Sequence, residues 1–481
     1  MNRPWVTGLA TLLPILVAAG IVVTLTVGGI GPFARDEPVS DAPPAVGVGV
    51  GDPYYPDAGA PGWDAQHYAI RIDWDPREQQ LTATTTITAV ATTALTEIGF
   101  DLYHEVTAAS VNGAAAVVPP GGPLNRTVVP ERPMAAGEQF TLEVSYAGSP
   151  SKGDGFASRG EEALFAGEPQ ASALWYPAND HPTDPATVEV WATVPEGMEA
   201  ISNGTLVSRD TDADPDTATW HWAADEPMAT YLAFLALGEF ELRESDADGR
   251  AAVYAVSERL ADRDELFARL GETPDIIHQL EVRYGPYPFD DVGGVVVDLE
   301  LGWAALETQE RPVYALDFAG LSASAATDVI VHEQVHQWFG NQVRVADWSD
   351  IVNNEGWATF AAAEVRERRT GQSVERWLVD RWTENDRFWG RSLSDPGIGN
   401  MFGTTYVRGG MALAALRVLL GDDEFFRIAR AWAQEPGARS LADWQSFVEN
   451  QAGHDLTDFW EAWYEAQPGP PPQERAYGWP D

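Results

Sequence analysis

The chain reads as two domains in tandem. An N-terminal antiparallel β domain, a saddle or sandwich, is expected over residues 53–244, and a mostly helical α/β domain over 245–466. Three observations predict this. Apolar residues alternate with polar ones at Tyr68, Ile70, Ile72 and Trp74, and again at Phe140, Leu142, Val144 and Tyr146, which is the period of a half-buried strand. From about Ser245 the period lengthens to that of helices. Turn signals recur through the first part, as at Asn112-Gly113 and Asn203-Gly204.

Composition narrows the class. With 481 residues, 44% hydrophobic content and 19 tryptophans, the chain can bury a core in each domain. The formal net charge is −43, so a nucleic-acid partner is excluded by the lack of a basic face. Lys152 is the only lysine. There is no cysteine, so a bound metal must use His, Asp or Glu.

In chain order, residues 1–35 carry Arg3 and then no charge until Arg35, with an apolar run from Trp5 through Ile30. Such a run is a signal peptide or an N-terminal membrane anchor, and either places the remainder outside the cytoplasm. Residues 36–52, rich in Pro, Gly, Ala and Val, read as a linker. The β domain follows. In the second domain Thr273-Pro274-Asp275 opens a helix and Gly293 to Val297 is a buried strand. Helices are expected over Trp357 to Arg369 and from Tyr406 to Leu420, and amphipathic helix over Asp423 to Tyr464. Residues 467–481 form a Pro-rich tail expected to be loose.

The chemistry gathers at His332-Glu333-Gln334-Val335-His336. Histidines four apart on a helix lie about 40° apart around its axis and about 6 Å along it, so both imidazoles reach one metal. Glu333 stands about 100° from His332, beside that metal. Val331, Val335, Trp338 and Phe339 fall on the adjoining arc and face a core. This is the pattern of a zinc site with a general base at its side. Catalytic zinc takes three protein ligands and keeps one position open. Glu355, separated from His336 by eighteen residues (337 to 354), is the natural third.

The flanks, HEQVHQWFGN from His332 and NEGWA from Asn354, resemble the aminopeptidase N family of zinc metallopeptidases, the gluzincins. The resemblance spans about Pro53 to Tyr464. It implies a thermolysin-like catalytic domain behind the β domain and one Zn²⁺ per chain. It also implies hydrolysis of the first peptide bond of peptides with a free N-terminus. By the same resemblance Ala304-Ala305-Leu306-Glu307-Thr308 stands where the family has Gly-Ala-Met-Glu-Asn, so Glu307 binds the substrate's ammonium. Only Ala305 and Glu307 match outright, which alters the first substrate pocket. Glu168, nine residues before Pro177, stands where the family places a second amine ligand, although the family's arginine in that segment is replaced by Ala173. Tyr406, in Tyr-Val-Arg-Gly-Gly, matches the oxyanion-donating tyrosine, with Arg408 in place of a lysine.

The site residues expected are therefore His332, His336 and Glu355 for the metal, Glu333 and Tyr406 for catalysis, and Glu307 and Glu168 for the substrate. A zinc endopeptidase or other hydrolase on the same site, and a silent binding protein on the same fold, are the competing readings. Intact Glu333 and Tyr406 argue against the second, because a scaffold needs neither.

Overall fold

The computed structural model describes residues 48–480, apart from 123, 152, 154, 212–213, 385–388, 466 and 468. The signal or anchor expected over 1–35 lies outside the described residues, as does most of the expected linker. Among the described residues no helix is long and apolar enough to cross a membrane.

The first domain is built on an eight-stranded sheet. In spatial order it runs Thr205–Asp210, Thr217–Met228, Ala186–Pro195, Trp63–Asp75, Gln80–Ala91, Gln139–Gly148, Glu105–Val111 and Ala114–Ala115. Tyr68, Ile70, Ile72 and Trp74 turn inward while Arg71, Asp73 and Asp75 face water, as the alternation requires. The sheet is not wholly antiparallel as expected: Trp63–Asp75 pairs parallel to Ala186–Pro195. The long excursion between those strands makes this possible, since a parallel pair needs a crossover. That excursion supplies two strands, Phe156–Arg159 and Glu162–Phe165, of a second, four-stranded sheet completed by Leu235–Gly238 and Glu199–Ile201; Glu162–Phe165 and Leu235–Gly238 pair antiparallel and are buried throughout.

The second domain opens with a five-stranded sheet: Phe240–Ala247, Arg250–Ser257, Asp291–Val296, Val313–Tyr314 and Ala305–Leu306. Its first strand begins at Phe240, so the boundary expected at 244/245 falls inside a strand that pairs forward with Arg250–Ser257. Ala305–Leu306 is an edge strand, which delivers Glu307 at its end. Helices follow: Arg263–Leu270 and Ala323–Val335 pack on the sheet, and Val352–Thr370 lies between Ala323–Val335 and Thr404–Leu420. Ser322 caps Ala323–Val335, its hydroxyl accepting from Ala325 N–H at 3.3 Å. The single amphipathic stretch expected over 423–464 is three helices, Asp422–Ala433, Leu441–Ala452 and Thr457–Tyr464. Gly437–Arg439 between them pairs parallel with Val343–Val345.

Both ends of the described chain are tied down. Asp52 is buried and accepts four bonds: from Tyr54 N–H and Tyr55 N–H, both at 2.8 Å, from Trp348 N–H at 2.8 Å, and from His181 Nε2 at 3.3 Å. The end of the expected linker is thus a strap joining the two domains. The tail is not loose either. Tyr477 O accepts from Trp463 Nε1 at 2.9 Å, and the Trp479 ring meets Trp382 edge-on at 4.5 Å. Tryptophan surface that would otherwise face water drives that docking.

Two hydrophobic cores result, one per domain. The first continues into the catalytic domain through Val295, Leu306, Trp348, Ile351 and Met401. The two domains therefore share part of one core.

Candidate metal and peptide site

The helix Ala323–Val335 ends at His336, whose φ of −57° and ψ of −24° are still helical. His332 and His336 thus keep the one-turn relation that puts both rings on one face, their centroids 4.9 Å apart. Val331, Val335, Trp338 and Phe339 are all buried on the neighbouring arc. The chain then turns sharply. Gly340 has φ +134°, and a side chain there would sit 3.2 Å from His336 Nδ1. That ring nitrogen bonds to Phe339 O at 3.1 Å. With Nδ1–H donating to the carbonyl, Nε2 is left with its lone pair toward the site.

Glu355, in the first turn of Val352–Thr370, meets this face. Its Oε2 lies 3.3 Å from His332 Nε2 and 3.8 Å from His336 Nε2. Burial, opposed by the Glu307 carboxylate, pushes the His332 imidazole down to about 4, so the ring is neutral at pH 7. Burial also raises Glu355 to about 8, with the His336 ring pulling the other way. Glu355 Oε2 is buried with no hydrogen-bond donor. Two imidazole lone pairs and an unsatisfied carboxylate oxygen converge on one point, which calls for a cation. Donors about 2.0–2.1 Å from a tetrahedral Zn²⁺ stand about 3.3 Å from each other, so the donor set and its spacing fit zinc.

The other expected residues surround this point. Glu307, Glu333 and His336 form one group with ligand atoms within 4.8 Å of one another, and Glu168, Glu307 and Glu355 form another. Glu333 is buried, and its carboxyl is pushed well above the usual range by burial first and then by Glu307 and Glu355. Glu168 is half-buried and raised for the same reasons. Oε1 of Glu307 and Oε1 of Glu168 are both buried without a partner. Such unsatisfied acceptors suit a ligand with several N–H donors. Tyr406, two residues into Thr404–Leu420, stacks on His332 with ring centroids 5.8 Å apart and planes 7° apart. Its hydroxyl faces the Glu355 carboxylate, whose pKa it lowers. Arg408 points elsewhere: its guanidinium donates to the carbonyls of Arg391, Trp463 and Glu465, anchoring the C-terminal segment.

Sequence reading left some positioning residues unassigned. Gln337 Oε1 accepts from Glu310 N–H at 2.8 Å, and Asn341 Nδ2 donates to Glu307 O at 2.9 Å. Both belong to the motif that carries the metal histidines, so the metal helix itself holds the loop bearing Glu307. On the other side Gln309 N–H donates to Leu232 O at 3.2 Å, which sets Tyr231 beside the same loop. The Tyr231 hydroxyl is buried without a partner. A tyrosine within a strand-rich stretch gives no sequence signal of this. Asp180, three residues after Pro177, accepts from Thr230 Oγ1 at 2.7 Å and so braces that turn.

Comparison with known proteins agrees with this geometry. Residues 64–232 match the Peptidase M1 N-terminal domain and residues 315–463 the Peptidase family M1 domain. The chain is 28% identical over 219 residues to the probable aminopeptidase 1 of Saccharolobus solfataricus, covering 44% of this chain and 27% of that protein. It is 24% identical over 318 residues to aminopeptidase N of Streptomyces lividans, covering 60% of this chain and 36% of that protein. It thus spans well under half the length of these two relatives. A mutant M1 zinc metallopeptidase from Deinococcus radiodurans superposes with a TM-score of 0.79 at 27% identity, covering 89% of this chain and 100% of that one. A mutant form of that protein bound to a Tyr-Ser-Ala substrate gives 0.78 at the same identity and coverage.

Proposed function

The chain belongs to peptidase family M1, and from that premise we propose that it is a zinc-dependent aminopeptidase that removes the first residue of peptides with a free N-terminus. One observation carries the proposal. The acceptors for a metal (His332, His336, Glu355) and unsatisfied acceptors for an ammonium (Glu307, Glu168) occupy a single buried cluster.

His332, His336 and Glu355 would hold Zn²⁺, which when bound would supply a Lewis acid and a water activated near neutral pH. Glu333 takes a proton from the attacking water and delivers it to the leaving amine. Tyr406 turns its hydroxyl from Glu355 to the carbonyl oxygen of the scissile bond as negative charge develops there. Stacking on His332 limits the motion that this requires. Glu307 and Glu168 accept from the substrate's ammonium, and their closeness to the metal ligands leaves room for one residue before the reacting bond. The cleaved bond is therefore the first.

The experiment is hydrolysis of aminoacyl fluorogenic amides beside their N-acetylated forms, with and without chelator. Cleavage of the free-amine substrates alone, abolished by chelator and restored by zinc, is the expected result. Equal cleavage of the acetylated forms would establish an endopeptidase instead.

We also place the protein outside the cytoplasm, anchored or secreted. The apolar run from Trp5 to Ile30 supports this. Recovery of the full-length chain in the cytosolic fraction of its native cells would refute it.

A further inference from the structure

Two helices fix where Glu355 and Tyr406 stand, and neither starts with a side-chain cap. Val352–Thr370 is preceded by Ile351 and Thr404–Leu420 by Gly403, and at neither position does a side chain accept from the first turn. An uncapped helix start is held by whatever grips the chain just before it. In both cases a grip comes from the strap at residues 52–55.

One half of the strap holds the approach to Glu355. Asp52 takes the N–H of Trp348 at 2.8 Å, in the short helical turn Trp348–Asp350 that runs directly into Val352–Thr370. The Tyr55 ring meets the buried Trp348 ring edge-on, with centroids 6.4 Å apart. Glu355 N–H donates to Ile351 O at 3.1 Å, so the first turn of the helix hangs from this point.

The other half reaches the segment before Tyr406. The Tyr54 hydroxyl donates to Asp395 Oδ1 and accepts from Gly397 N–H at 2.8 Å. That contact joins residues 341 apart in the chain, so only the closed fold makes it. The Tyr55 hydroxyl points at Met401 Sδ, 3.8 Å away. Met401 is buried, and its carbonyl accepts from the hydroxyl of Thr405, the residue before Tyr406. The far side of the segment is fixed to the C-terminal helix. Ser392 Oγ donates to Tyr464 O at 3.1 Å, and Ser394 Oγ donates to Glu465 Oε1 at 2.7 Å.

We propose that residues 52–55 are a positioning element of the active site: Asp52 and the hydroxyls of Tyr54 and Tyr55 set the starts of the two helices, and so hold the Tyr406 hydroxyl where the oxyanion contact needs it. These residues act through Tyr406, and the inference rests on the role proposed for that phenol. A misplacement of about 1 Å costs on the order of 10² in rate, so a loosened strap shows in turnover before it shows in binding.

The test is steady-state kinetics of the zinc-loaded full chain on a free-amine aminoacyl amide, with Tyr54→Phe introduced alone and together with Tyr406→Phe. Tyr54→Phe should lower kcat by at least about fivefold and leave KM and zinc content within about twofold. In the Tyr406→Phe background the same change should cost less than about twofold, because the group it positions is already gone. Asp395→Ala should repeat the loss, whereas Asp395→Asn, which keeps an acceptor for the Tyr54 hydroxyl, should retain most of the turnover. An equal loss in both backgrounds would make the strap a general stabiliser and overturn the assignment. So would an unchanged kcat in Tyr54→Phe, or a loss confined to KM or to zinc. Failure of the underlying reading looks different: the wild type would cleave no free-amine amide, or Tyr406→Phe alone would leave kcat intact.

Discussion

Tyr406 is held between His332 and Glu355, two of the residues proposed to bind the metal. Its ring stacks on His332 and its hydroxyl faces Glu355. The phenol is therefore stored within reach of the reacting carbonyl without being spent on a structural bond elsewhere. Burial and the surrounding carboxylates, Glu355 first, keep it protonated far above neutral pH, which suits the donor's role proposed for it and not a base's. Tyr406→Phe keeps the stacking and removes only the hydroxyl. Loss of one oxyanion donor costs about 10²–10³ in kcat. The expected outcome is a fall of at least about 10² in kcat with zinc content unchanged, measured by steady-state kinetics beside metal analysis. A loss confined to KM would remove the hydroxyl from the chemical step.

Two helices set that geometry, and they touch at glycines. Val352–Thr370 carries Glu355 and Thr404–Leu420 carries Tyr406. They cross at Gly356 and Gly409, where a Cβ on Gly409 would come within 2.9 Å of both Gly356 Cα and Val352 Cγ2. A backbone atom cannot give way cheaply, so a methyl group there forces the helices apart. Gly409→Ala should destabilise by about 1–3 kcal/mol and lower kcat more than zinc affinity, because it shifts Tyr406 relative to a ligand that the histidines still hold. A Cβ on Gly356 meets its nearest atom at 3.2 Å, so Gly356→Ala should be the milder change. Melting temperatures, kcat and zinc titrations of the two variants check the order. Both glycines sit in motifs visible in the sequence, yet neither motif shows that the two approach each other. The same holds for Gln337 and Asn341, which are legible as members of the metal motif and illegible as the clasp on the Glu307 loop.

At the scale of the molecule, acidity dominates. A net charge of −43 repels itself in the compact state, and salt screens that repulsion. Several carboxyls are buried as well. Burial pushes Asp350 up to about 6 while Leu441 N–H, donating at 2.8 Å, opposes the shift. Burial and the nearby Asp64 push Asp184 up to about 8. Both groups bind protons more readily folded than unfolded. Their contribution to stability is complete below the ordinary aspartate value of 3.8 and is lost as pH rises through about 6 and about 8. The melting temperature should therefore fall between pH 5 and 8 and rise with added NaCl. Asp350→Asn, which keeps an acceptor for Leu441, should flatten the part of the fall below about pH 6.5. A melting temperature that climbs from pH 5 to 8 would contradict this account.

By itself the sequence determined the parts whose cause is local. The pentad at His332, the distance to Glu355, the strand period in the first domain and the helix period in the second all follow from spacing along one chain. Local spacing also sufficed to nominate Glu307, Glu168 and Tyr406, through motif resemblance. Only the tertiary structure decided what depends on segments far apart: the parallel pairing of Trp63–Asp75 with Ala186–Pro195, the docking of the Pro-rich tail against Trp382 and Trp463, and the strap at Asp52. It alone placed the Glu168 turn of one domain against the Glu307 loop of the other. The reason is physical. Hydrogen-bond period and side-chain direction are set within a few residues, whereas burial of a tryptophan, a crossing of two helices or the meeting of two carboxylates is set by which surfaces close on each other.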